Sequence, residues 1–277
     1  MKRVIKILVI VLLMSFVLVS FTGCEKDAKS NEETEGTMDY LNSKSNSKSN
    51  KSSSKWSDAK KFLNDVKALT PEETLANAEK QVAAPEKGET VAIIHVKDFG
   101  DIKVKFFENI APKAVENFVT HSKEGYYDGL TFHRVMNEFM IQGGDPLGTG
   151  TGGETIYGED IGEELDKRIL PYRGALCMAS RGTGTVSIGS QFYIVQAHYS
   201  ETKESWLDYY NISNLKEAYK IYEGDLGNLL GYGQYTTFGQ VIEGMDVVDK
   251  IAAVETDPES DKPLESVVVE SIEITEY

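Results

Sequence analysis

The sequence predicts a mainly β domain from Thr90 to Tyr277, an antiparallel barrel or sandwich, and two observations carry that prediction. Eight short apolar runs separated by turn residues occupy this region. Only two amphipathic helical patterns interrupt them, too few to supply the crossovers of a βαβ array. A closed barrel would also leave no strand edge for other chains to pair with.

The elements follow in order. Val91–Val96 and Ile102–Phe107 read as strands around the turn Asp98-Phe99-Gly100-Asp101. After Ala111, Pro112 opens a helix whose apolar face is Ala114, Val115, Phe118 and Val119. Thr131–Val135, Phe139–Gln142, Ala175–Ala179, Gln191–Val195, Thr237–Ile242 and Val267–Thr275 complete eight strands. A second helix, with Met245, Val248, Ile251 and Ala252 on one face, precedes the last. Residues 56–89 read as a helical extension packed on this domain. Trp56, Ala59, Phe62, Leu63, Val66 and Leu69 recur at helical spacing, and Thr70-Pro71-Glu72-Glu73 is a capping box that starts a second helix through Leu75, Ala78 and Val82.

Residues 1–23 read as an export signal, with Lys2, Arg3 and Lys6 ahead of the apolar run Ile7–Val19. That run is short for a membrane span, which needs about 20 residues. Phe21-Thr22-Gly23-Cys24 resembles a bacterial lipoprotein box, although that family more often has Leu where Phe21 stands. The resemblance implies a lipidated Cys24 as the first mature residue, attached to a membrane and facing outward from the cytoplasm. The rival reading is an uncleaved signal anchor. Residues 24–55 then form a disordered tether, since SNSKSNSKSNKSSSK holds almost nothing apolar to offset the entropy of folding. As a random coil its 31 residues after Cys24 would reach roughly 30 Å.

Cys177 is left without a partner cysteine, so a disulfide framework is excluded, and its run Ala175–Ala179 makes it a buried small hydrophobe. The net charge of −15 becomes −18 once a signal with three basic and no acidic residues is removed. Nucleic acid is thereby excluded as a partner. The chain reads as a monomer.

The segment Thr131–Gly153, TFHRVMNEFMIQGGDPLGTGTGG, places Arg134 next to the apolar run Phe139-Met140-Ile141, then Gln142 and a glycine-rich rim. With PKAVENF, LCMAS, GSQFYIV, WLD and TFGQVIEGMDVVDKI in order around it, the segment resembles the cyclophilin family of peptidyl-prolyl cis/trans isomerases from about Thr90 to Tyr277. The resemblance implies an eight-stranded barrel capped by two helices, and no cofactor, metal or nucleotide. It puts the catalytic arginine at Arg134 and the proline pocket at Phe139, Met140, Tyr193 and Leu207. The peptide groove falls on Gln142, Ala179, Ser180 and Gln191, with Trp206 at its mouth. Three positions depart from the common pattern: Tyr193 stands where many members have Phe, Ser180 where many have Asn, and Tyr235 where many have His. Partners implied are proline-containing exported proteins or peptides, with cyclosporin as an inhibitor.

These residue types suit the reaction. Resonance gives the X-Pro amide a barrier of about 18–20 kcal/mol, and a turnover near 1000 per second would require removing roughly 6–7 of it. An apolar pocket can hold the pyrrolidine ring while a guanidinium donates to the imide nitrogen as its lone pair localises in the twisted state. Gln142 is expected to hold the substrate carbonyl or to steady Arg134. The alternative function on the same barrel is a non-catalytic chaperone or surface receptor for proline-containing peptides; a structural alternative is an envelope spacer.

Other chemistries fit less well. Strand alternation from Phe132 directs His133 away from Arg134, as a satisfied core histidine rather than a base. His95, His121 and His198 lack metal-ligand spacing, and GTGTGG lacks the Gly-Lys-Ser/Thr ending of a phosphate loop. One segment is extra. The 26 residues Tyr209–Gln234, rich in Tyr and Gly and with a helical stretch Leu215–Tyr222, stand where compact cyclophilins have a couple of residues. Their flanks belong to the expected pocket rim, so the insertion is expected beside the site, either as a hinged lid that selects substrates or as a surface elaboration with no role in catalysis.

Overall fold

The computed structural model describes residues 52–180, 186–224 and 235–277. The expected export signal, Cys24 and nearly all of the tether lie outside the described residues. Nine strands form one antiparallel sheet: β1 Thr90–Val96, β2 Gly100–Phe106, β3 Arg134–Met136, β4 Met140–Gly143, β5 Ile161–Gly162, β6 Ala175–Ser180, β7 Val186–Val195, β8 Thr237–Glu243 and β9 Val269–Glu276. Eight of them run in the order β3-β4-β7-β6-β8-β2-β1-β9, and the two-residue β5 pairs with β7 off this path. The eight correspond one for one to the strands expected from the sequence. The short β5 was not anticipated, because two residues show no alternation.

The sheet curls until its ends meet. Residues just ahead of β3 pair with the start of β9 through an isolated Thr131–Val268 bridge. Phe132 N donates to Val267 O at 3.0 Å, Gly129 N to Val269 O and Val269 N to Leu130 O, both at 2.8 Å. That closure shortens the expected strand Thr131–Val135, whose first residues serve the closing seam while β3 proper begins at Arg134.

Period-two alternation sends one face of each strand inward. Ile94, Ile102, Val104, Val135, Ile141, Leu176, Met178, Phe192, Ile194 and Phe238 share one buried core. Helix α3 (Pro112–Lys123) and helix α6 (Met245–Ala252) cover it, burying Ala114, Val115 and Phe118, and Val247, Val248, Ile251 and Ala252 respectively. Phe118 makes an edge-on contact with Phe192 at 5.2 Å between ring centroids, a geometry that adds to simple burial.

A second core lies outside the barrel. The N-terminal helices α1 (Ser52–Lys67) and α2 (Pro71–Val82) pack with helix α4 (Glu201–Tyr209) and with the insertion that follows it, which forms a 3-10 turn (Ser213–Leu215) and helix α5 (Lys216–Tyr222). Val66, Ala78, Leu170, Tyr172, Leu207, Ile212, Leu215, Ala218 and Tyr219 are buried together there, each large aliphatic side chain giving roughly 1.5–3 kcal/mol. The capping box at Thr70 is present: Glu73 N donates to Thr70 Oγ1 at 3.1 Å and Thr70 N to Glu73 Oε2 at 2.8 Å.

Helix α2 is turned from its expected face. Thr74 and Gln81 are buried beside Ala78, whereas Leu75 and Val82 are only half-buried. The reason is polar: Thr74 Oγ1 donates to Asn214 O at 2.7 Å, and Gln81 Nε2 donates to Leu170 O at 2.7 Å and to Gln240 Oε1 at 3.0 Å. Asn214 Nδ2 in turn donates to Val66 O and Leu69 O, both at 3.0 Å. The described part of the insertion is thus a packed element. This corrects the expectation of a hinged lid. Gly224 is held as well, at φ +138, since a Cβ there would lie 2.6 Å from Pro171 O. The glycines at 227, 231 and 233 lie outside the described residues.

Candidate active site

The outward faces of β3, β4, β7 and β6 build a cleft. Cross-strand register aligns Arg134 with Gln142, Gln142 with Tyr193, and Tyr193 with Cys177, so these side chains form one row on the side opposite the barrel core. Met140, Ala175, Cys177, Tyr193, Val195 and Ala197 make its apolar floor, with Met136, Phe139, Ala179 and Tyr235 packed against it. Tyr235 meets Tyr193 edge-on at 5.7 Å. A register shift between Met178 and Ser180 breaks the alternation, and both Ala179 and Ser180 reach the cleft. The cleft measures about 550 Å³, within the usual ~300–1,000 Å³ of ligand sites.

Arg134 borders this floor. Its Nε donates to Asp261 Oδ2 at 3.4 Å and its Nη2 to Met136 Sδ at 2.9 Å. Asp261 adopts φ +57, and Val135 N donates to its carbonyl at 2.8 Å, so the turn that carries it is bound to β3 itself. Gln142 is held by Gln191 rather than by Arg134: Gln142 Nε2 donates to Gln191 Oε1 at 3.0 Å, and Gln191 Nε2 to Gly152 O at 2.7 Å. Gln191 is nearly fully buried, which makes it a support beneath the cleft.

The rim loop 145–153 is organised by a buried carboxylate. Asp145 accepts from the amides of Leu147 at 2.8 Å, Thr149 at 3.0 Å and Gly150 at 2.6 Å. Burial works to raise its pKa, but the main-chain donors outweigh burial and hold it below the usual value. Gly144, at φ +81, passes so near β7 that a Cβ would lie 2.7 Å from Ser190 O. Opposite, Phe139 is fixed through its carbonyl, which accepts from Gln196 N at 2.9 Å and Ala197 N at 3.2 Å. Gln196 is in turn anchored to Asp249 at 2.9 Å.

Of the residues expected from sequence, Arg134, Phe139, Met140, Gln142, Ala179, Ser180, Tyr193 and Tyr235 line one cleft, and Gln191 lies beneath them. Two do not join it. Leu207 is fully buried in the second core, and Trp206 is 42% exposed on the surface, outside the cleft lining. Both corrections have one cause. Residues 201–209 form helix α4, whose Leu207 packs against the N-terminal helices, and the neighbouring position on a helix then points about 100° away.

His133 is a third correction. It lines the cleft next to Arg134 instead of facing away, because regular alternation begins only at Arg134. Neither ring nitrogen makes a hydrogen bond, although the side chain is buried. Burial lowers its pKa foremost; Asp145 and the Thr131 main chain oppose that, while the charges of Arg134 and Lys262 add to it. It is therefore a neutral wall residue at neutral pH. The glycine-rich rim supplies Gly148, Thr149 and Gly150 to the lining as expected, whereas sequence reasoning missed Ser260 and Lys262. Asp145 carried a readable signal, an Asp ahead of a Gly-Thr-Gly turn. Lys262 carried none, since it is brought over from 128 positions beyond Arg134.

Comparisons with known proteins agree with this geometry. The model of the cyclophilin type peptidyl-prolyl cis-trans isomerase family matches residues 91–274. A protein of Staphylococcus aureus named for peptidyl-prolyl cis-trans isomerase activity is 45% identical over 192 residues, 69% of this chain and 94% of that protein. A Staphylococcus saprophyticus protein of the same name is 45% identical over 190 residues, 68% and 94% of the two chains. The crystal structure of a cyclophilin type isomerase from Cryptosporidium parvum superposes with a TM-score of 0.52 at 31% identity, covering 67% of this chain and 97% of that one. The same protein in the presence of the dipeptide Ala-Pro gives 0.51, with 67% and 98% covered. A curled antiparallel sheet, an arginine beside an apolar cleft on its outer face and a family match over most of the sheet lead to one conclusion: this chain belongs to the cyclophilin-type peptidyl-prolyl cis-trans isomerases.

Proposed function

We propose that the chain accelerates X-Pro isomerisation in exported proteins, with Arg134 as the catalytic residue, from an anchor on Cys24 at the outer side of a membrane. The observation that carries the mechanism is the row Arg134–Gln142–Tyr193 above the floor of Met140, Cys177 and Val195. The pyrrolidine ring rests on Phe139, Met140 and Tyr193, and a guanidinium donor faces the imide nitrogen. As the amide twists, that nitrogen gains a localised lone pair and becomes a real acceptor. The bond from Arg134 is then stronger in the twisted state than in either planar one, and that difference lowers the barrier. Ser180 and the β6 main chain border the path of an extended peptide. The relative crystallised in the presence of Ala-Pro supports the substrate class. Among the described residues no helix is long and apolar enough to cross a membrane, and membrane attachment here rests on the lipid reading of Cys24.

A protease-coupled assay on an X-Pro tetrapeptide tests the chemistry against an uncatalysed exchange of tens to hundreds of seconds. Acceleration that vanishes in Arg134→Ala is expected. A folded protein that binds the peptide without acceleration would instead be a peptide holder. For the anchor, Cys24→Ala should leave an unprocessed precursor without acyl label; a processed, lipid-free protein in both versions refutes it.

A further inference from the structure

The charge of the cleft runs against that of the chain. The protein is net −15, yet no residue lining the cleft is acidic, and two of them, Arg134 and Lys262, are cations. Arg134 has a carboxylate beside it in Asp261. Lys262 forms no ion pair among the described residues, so its charge is the one left uncompensated at the rim.

Its backbone is firmly placed. Asp257 N donates to Lys262 O at 2.8 Å and Asp261 N to Asp257 O at 2.9 Å, while the Asp257 carboxylate accepts from the amides of Glu259 at 3.0 Å and Ser260 at 2.9 Å. Pro263 follows, buried and bridged to Thr256. One turn thus presents two consecutive charged residues in different ways: Asp261 neutralises Arg134, and Lys262 borders the space a peptide would fill.

We infer that Lys262 makes this cleft selective for proline-containing segments that carry an Asp or Glu side chain within two residues of the proline, and unreceptive to those with Lys or Arg there. The inference rests on the reading that the X-Pro bond is turned over in this cleft. The span follows from size. A volume of 550 Å³ is that of a cube about 8 Å on edge, and two extended residues reach roughly 7 Å. A carboxylate within that distance meets the exposed Lys262 at the rim; a second cation there meets both Lys262 and Arg134.

The test is kcat/KM by exchange NMR, which needs no coupling protease and so tolerates any flanking residue. Peptides carry Glu, Ala or Lys at each of the two positions before and after proline. In the wild-type chain the Glu-to-Lys ratio should be about two- to fivefold at one or more positions, the size of a single partly solvated ion pair, and should shrink in 1 M salt. Lys262→Met should bring that ratio near one and Lys262→Glu should invert it. A wild-type ratio near one at every position, or one that Lys262→Met leaves unchanged, overturns the inference. Arg134→Ala separates the two levels. If it leaves all rates intact, the cleft is not the site and both readings fall. If it lowers every rate while the ratio is flat, only the role of Lys262 falls.

Discussion

Replacing Arg134 with alanine tests the mechanism most directly, and the structure sets the expected size. A guanidinium has five N–H donors. One, on Nε, faces Asp261, and one, on Nη2, faces the Met136 thioether, so three remain for a substrate. The thioether is a weak acceptor and gives up its donor at small cost. A charged hydrogen bond made mainly in the twisted state contributes about 1.5–3 kcal/mol, so Arg134→Ala should lower kcat/KM by roughly 10- to 150-fold. That is at most about half of the 6–7 kcal/mol a fast isomerase needs; the apolar floor supplies the rest, and the variant should still run measurably above the uncatalysed rate. Arg134→Lys keeps the charge but loses the planar donor array and should fall between. Asp261→Asn, which removes a half-exposed ion pair, should cost only about two- to fivefold, and nothing further once Arg134 is already alanine. The assay is protease-coupled isomerisation, with near-UV circular dichroism to show that each variant is folded. A folded Arg134→Ala within threefold of the parent would move the catalysis elsewhere.

Other outcomes follow from the same contacts. Leu215→Ala, at a fully buried position where the insertion meets the N-terminal helices, should cost about 2–5 kcal/mol in a denaturant melt, while kcat/KM of the folded protein changes little because the cleft lies apart from that core. The His133 pKa is lowered in the folded state from a usual value of 6.5, so the folded form binds fewer protons than the unfolded one. Stability is therefore full above pH 6.5 and declines as pH falls toward the folded value, and His133→Phe should flatten that limb of a melting-temperature profile. Asp145, also held low, adds a further loss beginning only near its usual value of 3.8. If cyclosporin inhibits through the cleft, Trp206→Ala should change the inhibition constant less than twofold, because Trp206 lies outside the lining; a tenfold change would place it on the inhibitor.

The residues that could be read from the sequence are those whose role is expressed locally. Met140 and Gln142, assigned to the cleft through a contiguous motif of the family resemblance, do line it, with Ile141 in the core behind them. The capping box at Thr70 was legible because all its donors and acceptors lie within four residues. Failures came where a distant partner overrode the local pattern. Apolar periodicity gave Leu75 and Val82 to the contact face of α2, but buried hydrogen bonds to Asn214, Leu170 and Gln240 turned Thr74 and Gln81 inward. The family pattern assigned Leu207 to the proline pocket, but the insertion that follows made its segment a helix and gave it a different core to fill. The same substitution of partners bears on function. Leu207 and Trp206 lie outside the cleft, whose lining includes Tyr235, packed on Tyr193, and the cation Lys262. Family membership gives the activity class, and Arg134 with the apolar floor is what we propose carries it. The residues that changed partners are one assigned to the proline pocket, Leu207, and one assigned to the mouth of the groove, Trp206, and substrate choice is where this chain should differ from compact relatives.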